Sequence, residues 1–186
     1  LGANVPGCTS FNDRFGNPIT VNSCPGTGPR GAWNSAYLNR QQTKIVAAIN
    51  ALDADVVGLM EIENSRVVSG TADAALSTLV TALNTAAGVP GLWAFVPSST
   101  QLPPNSEMDV IANALIYKPS EVAPVGTSLA LGTESGAGEA FDNAREPLGQ
   151  VFKPAGGGEP FLVVVNHFKS KGSPGPWPGD VDTGDG

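Results

Sequence analysis

Residues 55–61, Asp55-Val56-Val57-Gly58-Leu59-Met60-Glu61, set four large apolar side chains almost in a row between two carboxylates. So dense a run reads as a strand covered on both faces, at the centre of a sheet. Helical patterns flank it. Upstream, Ile45, Ala48, Ile49 and Leu52 recur at i, i+3, i+4 and i+7, one apolar stripe on a helix over about residues 37–52, with Asn34 or Ser35 as its N-cap. Downstream, Thr71 and Asp73 open a second helix, whose stripe is Leu76, Leu79, Val80 and Leu83 and whose end is marked by Gly88 and Pro90. Short apolar segments at 92–96, 110–117, 148–153 and 161–165 follow, divided by turn-rich stretches such as Lys118-Pro119-Ser120 and Ala155-Gly156-Gly157-Gly158. Helix, strand and helix, then strands without intervening helices, predict an α/β layered sandwich with a mixed sheet.

The length, 186 residues, suits one domain rather than two. Gly and Pro together number 39 and only 15% of residues are charged, against about 25% in an average chain, so long ordered loops should join few regular elements. Residues 1–33 read as an irregular arm, and 172–186 as a flexible loop or tail. No apolar stretch approaches the roughly 18 residues of a membrane-spanning helix, so no membrane partner is expected. A net charge of −7 argues against coating nucleic acid through a general basic surface. Any anionic ligand must be gripped locally. Between residues 141 and 172, Arg145, Lys153, Lys169 and Lys171 face three carboxylates, which leaves that segment at +1 and the remainder at −8.

Cys8 and Cys24, the only cysteines, lie in a loop-like stretch rich in Gly, Pro, Asn, Ser and Thr. A disulfide between them would contribute about 3 kcal/mol by chain entropy and would place the protein in an oxidising, extracellular compartment. Two free, partly buried thiols in a cytosolic protein are the alternative. A zinc site is not expected from two cysteines without nearby histidines.

Polar groups that directly follow buried strands are held rigidly while facing a crevice, the usual position of a site in an open α/β sheet. The run at 55–60 delivers Glu61, with Glu63 and Asn64 behind it; the run at 161–165 delivers Asn166 and His167, with Lys169 and Lys171 beyond. His167 is the only histidine, and the one side chain able to exchange a proton near neutral pH without a large shift. Glu61 suits a hard cation such as Mg²⁺, which takes one or two carboxylates, waters and phosphate oxygens. The Arg145 fork suits bidentate contact with a phosphate. Each also has a plain structural account: a hydrogen-bonded histidine at a strand end, a solvated carboxylate, an arginine paired with Asp142 or Glu146.

Taken together, five ordered motifs carry a resemblance. Arg40-Gln41-Gln42-Thr43-Lys44-Ile45, Asp55 through Asn64, Ile116-Tyr117-Lys118-Pro119, Asn143-Ala144-Arg145-Glu146-Pro147-Leu148 and Val165-Asn166-His167-Phe168-Lys169-Ser170-Lys171-Gly172 resemble, in that order, motifs of the endonuclease/exonuclease/phosphatase superfamily. The nearest likeness is to its secreted bacterial branch of extracellular nucleases related to deoxyribonuclease I. The resemblance spans about residues 8–186. It implies a four-layer α/β/β/α sandwich with mixed, mostly antiparallel sheets. It also implies a secreted hydrolase that depends on Mg²⁺, with Mn²⁺ or Ca²⁺ as alternatives, and that cleaves DNA, with RNA as the second candidate substrate. By motif position, Glu61 becomes the metal carboxylate, Arg145 the phosphate contact, and His167 the group acting at the leaving oxygen. Asn166 and Lys169 become second-tier groups beside it, Asn64 a substrate contact, and Asp109 an orienter of His167 or a groove residue.

The sequence departs from that pattern in one respect. The family's Gly-Asp-x-Asn motif, its final Asp-His pair and its first strand with an Asn are not found, so the chain is expected to be a partial domain lacking its C-terminal half and inactive alone. Half of such a sandwich would leave several hundred Å² of apolar sheet open to water. Two other readings share the scaffold: a phosphoesterase acting on a phospholipid or inositol phosphate, and a non-catalytic binding or adhesion domain. Asp180-Val181-Asp182-Thr183-Gly184-Asp185-Gly186 invites a calcium-loop reading, which fails at Gly184 and for want of a closing Glu.

Overall fold

The structure is a computed structural model that describes residues 1–142 and 144–168. Lys169, Lys171, the 172–186 tail and the calcium-loop sequence therefore lie outside the described residues. The chain is an α/β protein with two helices of more than three turns and three antiparallel sheets.

The first helix, α1 (Ser35–Leu52), begins where the Asn34 side chain accepts a hydrogen bond from the Tyr37 amide, an N-cap that satisfies an otherwise orphaned donor. Its buried face is rotated from the expected stripe. Val46 and Ile49 are buried, whereas Ile45 and Leu52 are 48% and 65% exposed. Strand β3 (Val56–Glu63) follows, then a single-turn helix α2 (Ser65–Val68) and the long helix α3 (Ala74–Ala87), whose Leu76, Val80 and Leu83 are buried. The Gly88 that ends α3 is left-handed, with its amide returning to Asn84 and Thr85 carbonyls.

Strands β4 (Ala94–Phe95) and β5 (Ile111–Tyr117) complete a sheet in the order β3-β5-β4. The centre of that sheet is thus β5, and β3 is its edge among the described residues, which corrects the expectation of a central strand at 55–61. Alternation along β5 divides two cores. Ala114 and Ile116 join Val57, Leu59 and the buried faces of α1 and α3; Leu115 and Tyr117 turn the opposite way.

A further sheet packs on that opposite face. It runs β6 (Val122–Ala130), β7 (Arg145–Pro154), β8 (Phe161–His167), every ladder antiparallel, and its Leu148, Phe152 and Val165 meet Leu115, Val56 and Val96. Helices, sheet and sheet therefore form three layers. The outer face of the last layer carries Val125, Leu129, Leu162 and Val164, each between 44% and 56% exposed. Where β3 passes β8 the sheets nearly touch, and a Cβ at Gly58 would stand 2.8 Å from a Val165 methyl carbon.

The N-terminal segment is less irregular than its composition predicts. Strands β1 (Thr9–Asn12) and β2 (Pro18–Ser23) pair as a hairpin, and the Cys8–Cys24 disulfide closes its open end. No helix of the described residues is long and apolar enough to cross a membrane.

Candidate active site

Two β-bulges at the same end of the facing sheets create the site. In β3, Leu59 pairs with Ala114 but Ile62 pairs with Ala112, so Met60 and Glu61 together oppose Asn113. The extra residue changes the parity of the strand. Leu59 and Ile62 both face the helices, whereas unbroken alternation would have driven the Glu61 carboxylate into that apolar layer. Glu61 takes up the turn itself, with φ of 61°, a left-handed conformation uncommon for a non-glycine residue. Its side chain is 67% exposed at the rim.

The second bulge lies in β7. Arg145 pairs with His167 and Leu148 with Val165, so Glu146 and Pro147 share the place opposite Asn166. Pro147 fits because a bulged position need not donate to the ladder. Asn113 connects the bulges: it opposes Glu61 in its own sheet and donates its side-chain amide to the Glu146 carbonyl at 3.0 Å.

Together these irregularities bring Glu61, Arg145 and His167 to one rim. The His167 Nε2 is 3.7 Å from the Glu61 carboxylate, and His167 stands in register with Arg145. Asp109, just ahead of β5, accepts from the Arg145 guanidinium at 2.5 Å. The adjoining groove has a volume of about 340 Å³ and is lined by Glu61, Glu63, Arg145, Val110 and Arg30. Among the described residues, the buried Arg145 Nε and His167 Nδ1 have no hydrogen-bond partner, an unusual condition for buried polar atoms.

The remaining sequence candidates fall elsewhere. Asp109 does not reach His167: its carboxylate is occupied by Arg145, by Arg30 and by the Val110 amide. Asn64 is turned inward. Its side-chain amide donates to the Asp109 carbonyl at 3.0 Å, and its backbone amide to Val110, so it fixes Asp109 in place rather than facing a ligand. Asn166 is exposed and one residue out of phase with Val165 and His167, on the outer face of its sheet. Neither Asp142 nor Glu146 takes Arg145 as an ion-pair partner.

Two groups at the site were not among the site residues expected from the sequence. Arg30 lies in a segment of turn residues, where nothing local marks it as close to Asp109. Glu146 is only 7% exposed, and burial, with help from the nearby Asp109 charge, raises its carboxyl above the ordinary range.

Among the described residues no three His, Cys, Asp or Glu side chains cluster as a ready-made metal cage. An exposed carboxylate in an open groove is nevertheless the donor type used by hydrated hard cations, which fill most of their coordination with water and substrate oxygens.

No protein-family model matches the chain, and no curated protein matches it. Among solved structures it is similar to the human Nocturnin catalytic domain with a bound sulfate anion, at 16% identity and a TM-score of 0.40. That overlap covers 71% of this chain and 43% of the other, so the chain spans less than half the length of the structure it resembles.

Proposed function

We propose that this chain carries part of the site of a metal-dependent phosphodiesterase of the endonuclease/exonuclease/phosphatase type, an extracellular endonuclease acting on DNA. The observation that carries the reading is the convergence, through two separate bulges, of a carboxylate, a guanidinium and the only imidazole beside one groove.

Phosphodiester hydrolysis develops negative charge on the non-bridging oxygens and on the leaving oxygen. Glu61 would hold Mg²⁺, which when bound supplies positive charge to a non-bridging oxygen. Arg145, anchored by Asp109 through one nitrogen, keeps other donors for the phosphate. His167, whose Nε2 lies 3.7 Å from the Glu61 carboxylate, would donate a proton to the leaving oxygen. Its Nδ1, unpartnered among the described residues, is then open to a carboxylate that would orient the ring. The reading requires such a carboxylate, and a base for the attacking water, in addition to Glu61, Arg145 and His167. The 186 residues alone should bind nucleic acid but turn it over poorly. The Cys8–Cys24 disulfide supports an extracellular setting.

Plasmid nicking tests the reading. With Mg²⁺, the full-length protein should convert supercoiled DNA to open circles, and chelation should stop it. Glu61→Gln and His167→Ala should each lower the rate by about 10²-fold or more. Wild-type rates in both variants would show that the chemistry lies elsewhere.

A further inference from the structure

Arg30 arrives at the groove from a part of the chain that has no role in either sheet core. The segment around it is held to β2 by the Val21 amide and Thr20 hydroxyl donating to the Gly31 carbonyl, and by the Trp33 amide donating to Ile19. The disulfide ties the hairpin behind that segment. So fixed, the Arg30 guanidinium meets the Asp109 carboxylate face on, Nη1 to Oδ2 at 3.0 Å and Nη2 to Oδ1 at 2.9 Å.

Asp109 is therefore one carboxylate serving two guanidiniums, because Arg145 also binds Oδ2. The two arginines differ in access: the Arg145 side chain is 17% exposed and that of Arg30 is 53% exposed. A single negative charge neutralises one of them. Both forks border a groove that also carries the Glu61 and Glu63 carboxylates, whose charge a divalent cation would offset, and the more exposed Arg30 fork is the one placed to exchange Asp109 for an anion.

We infer that Arg30 is a second phosphate-gripping arginine, supplied by the disulfide-tied hairpin, which leaves Asp109 to Arg145 and closes on the backbone of a nucleic acid strand lying in the groove. The inference rests on the proposed nuclease reading, and makes the N-terminal hairpin one wall of the binding site. Arg30 is a binding residue, not a group at the reacting atoms.

The test is binding, so it does not depend on turnover. A fluorescein-labelled DNA duplex is titrated with the 186-residue chain in the presence of Ca²⁺, over a series of salt concentrations. For Arg30→Ala, the slope of log K against log salt should fall by about 0.9, the loss of one phosphate contact. Its affinity deficit should narrow about 3.5-fold between about 50 and about 200 mM salt. Arg30→Lys, which keeps the charge but not the fork, should restore the slope and only part of the affinity. Cys8→Ser/Cys24→Ser should reproduce the Arg30→Ala deficit, since the hairpin then no longer holds the segment. Lys153→Ala, at the far end of β7, should leave the slope unchanged.

A purely structural role for Arg30 would lower the melting temperature of Arg30→Ala with the slope intact, and would overturn the inference while leaving the nuclease reading standing. A wild-type chain that does not bind DNA at all would overturn both.

Discussion

Glu61 concentrates the tension between stability and use at the residue scale. A non-glycine residue in the left-handed region costs of order 1 kcal/mol or more, and the bulge persists because Ile62 and Leu59 both gain burial from it. Glu61→Gly should therefore raise the unfolding free energy by about 1 kcal/mol in a urea titration while abolishing any Mg²⁺-dependent nicking. Glu146 makes a second, opposite case. Its carboxyl is raised by burial, so the folded protein holds the proton at pH values where the unfolded chain has released it. Stability should fall as pH rises from the ordinary carboxylate range through that raised value, then level off. Glu146→Gln should remove the slope and be the more stable protein above it, as thermal melts across the range would show. Glu61, Arg145 and His167 were legible as candidates because each follows or opens an apolar run. Arg30 was not, since its closeness to Asp109 spans 79 residues and leaves no local pattern.

At the scale of elements, the sequence was readable wherever a period was clean and capped. The boundaries of α1 and α3 were legible from Asn34 and Gly88, which act on the chain locally. The rotation of the α1 stripe was not, because which of Ile45 and Val46 is buried depends on the angle at which α3 and β5 meet the helix. Strand β6 went unnoticed: Pro124, Gly126, Thr127 and Ser128 break the alternation, and β6 survives them as an edge strand with an irregular ladder to β7. The β1/β2 hairpin was hidden in the same way by turn residues. The bulges were also invisible, and they decide that Glu61 stays out of the helix-facing apolar layer and that Glu146 and Pro147 share the place opposite Asn166. The close crossing of β3 and β8 gives this scale its prediction. Gly58→Ala would press a methyl group against Val165, a branched side chain with little freedom to yield. It should lower the unfolding free energy by about 1–3 kcal/mol, and Gly58→Ala combined with Val165→Ala should recover part of the loss.

For the whole molecule, the layered arrangement matters because it lets two independent sheets present groups across a single gap. Helices cover one face of the first sheet and the second sheet covers the other, so neither bulge can relax without disturbing a packed core. The single histidine turns this geometry into a direct measurement, since a tag-free sample has one set of imidazole resonances and all belong to His167. The account places a divalent ion on Glu61, whose carboxylate is 3.7 Å from that ring. Substoichiometric Mn²⁺ should broaden the His167 imidazole signals beyond detection, excess Mg²⁺ should restore them, and Glu61→Gln should leave them sharp throughout. Imidazole signals that Mn²⁺ leaves untouched in the wild-type protein would contradict the claim that the carboxylate and the histidine serve one metal-assisted site.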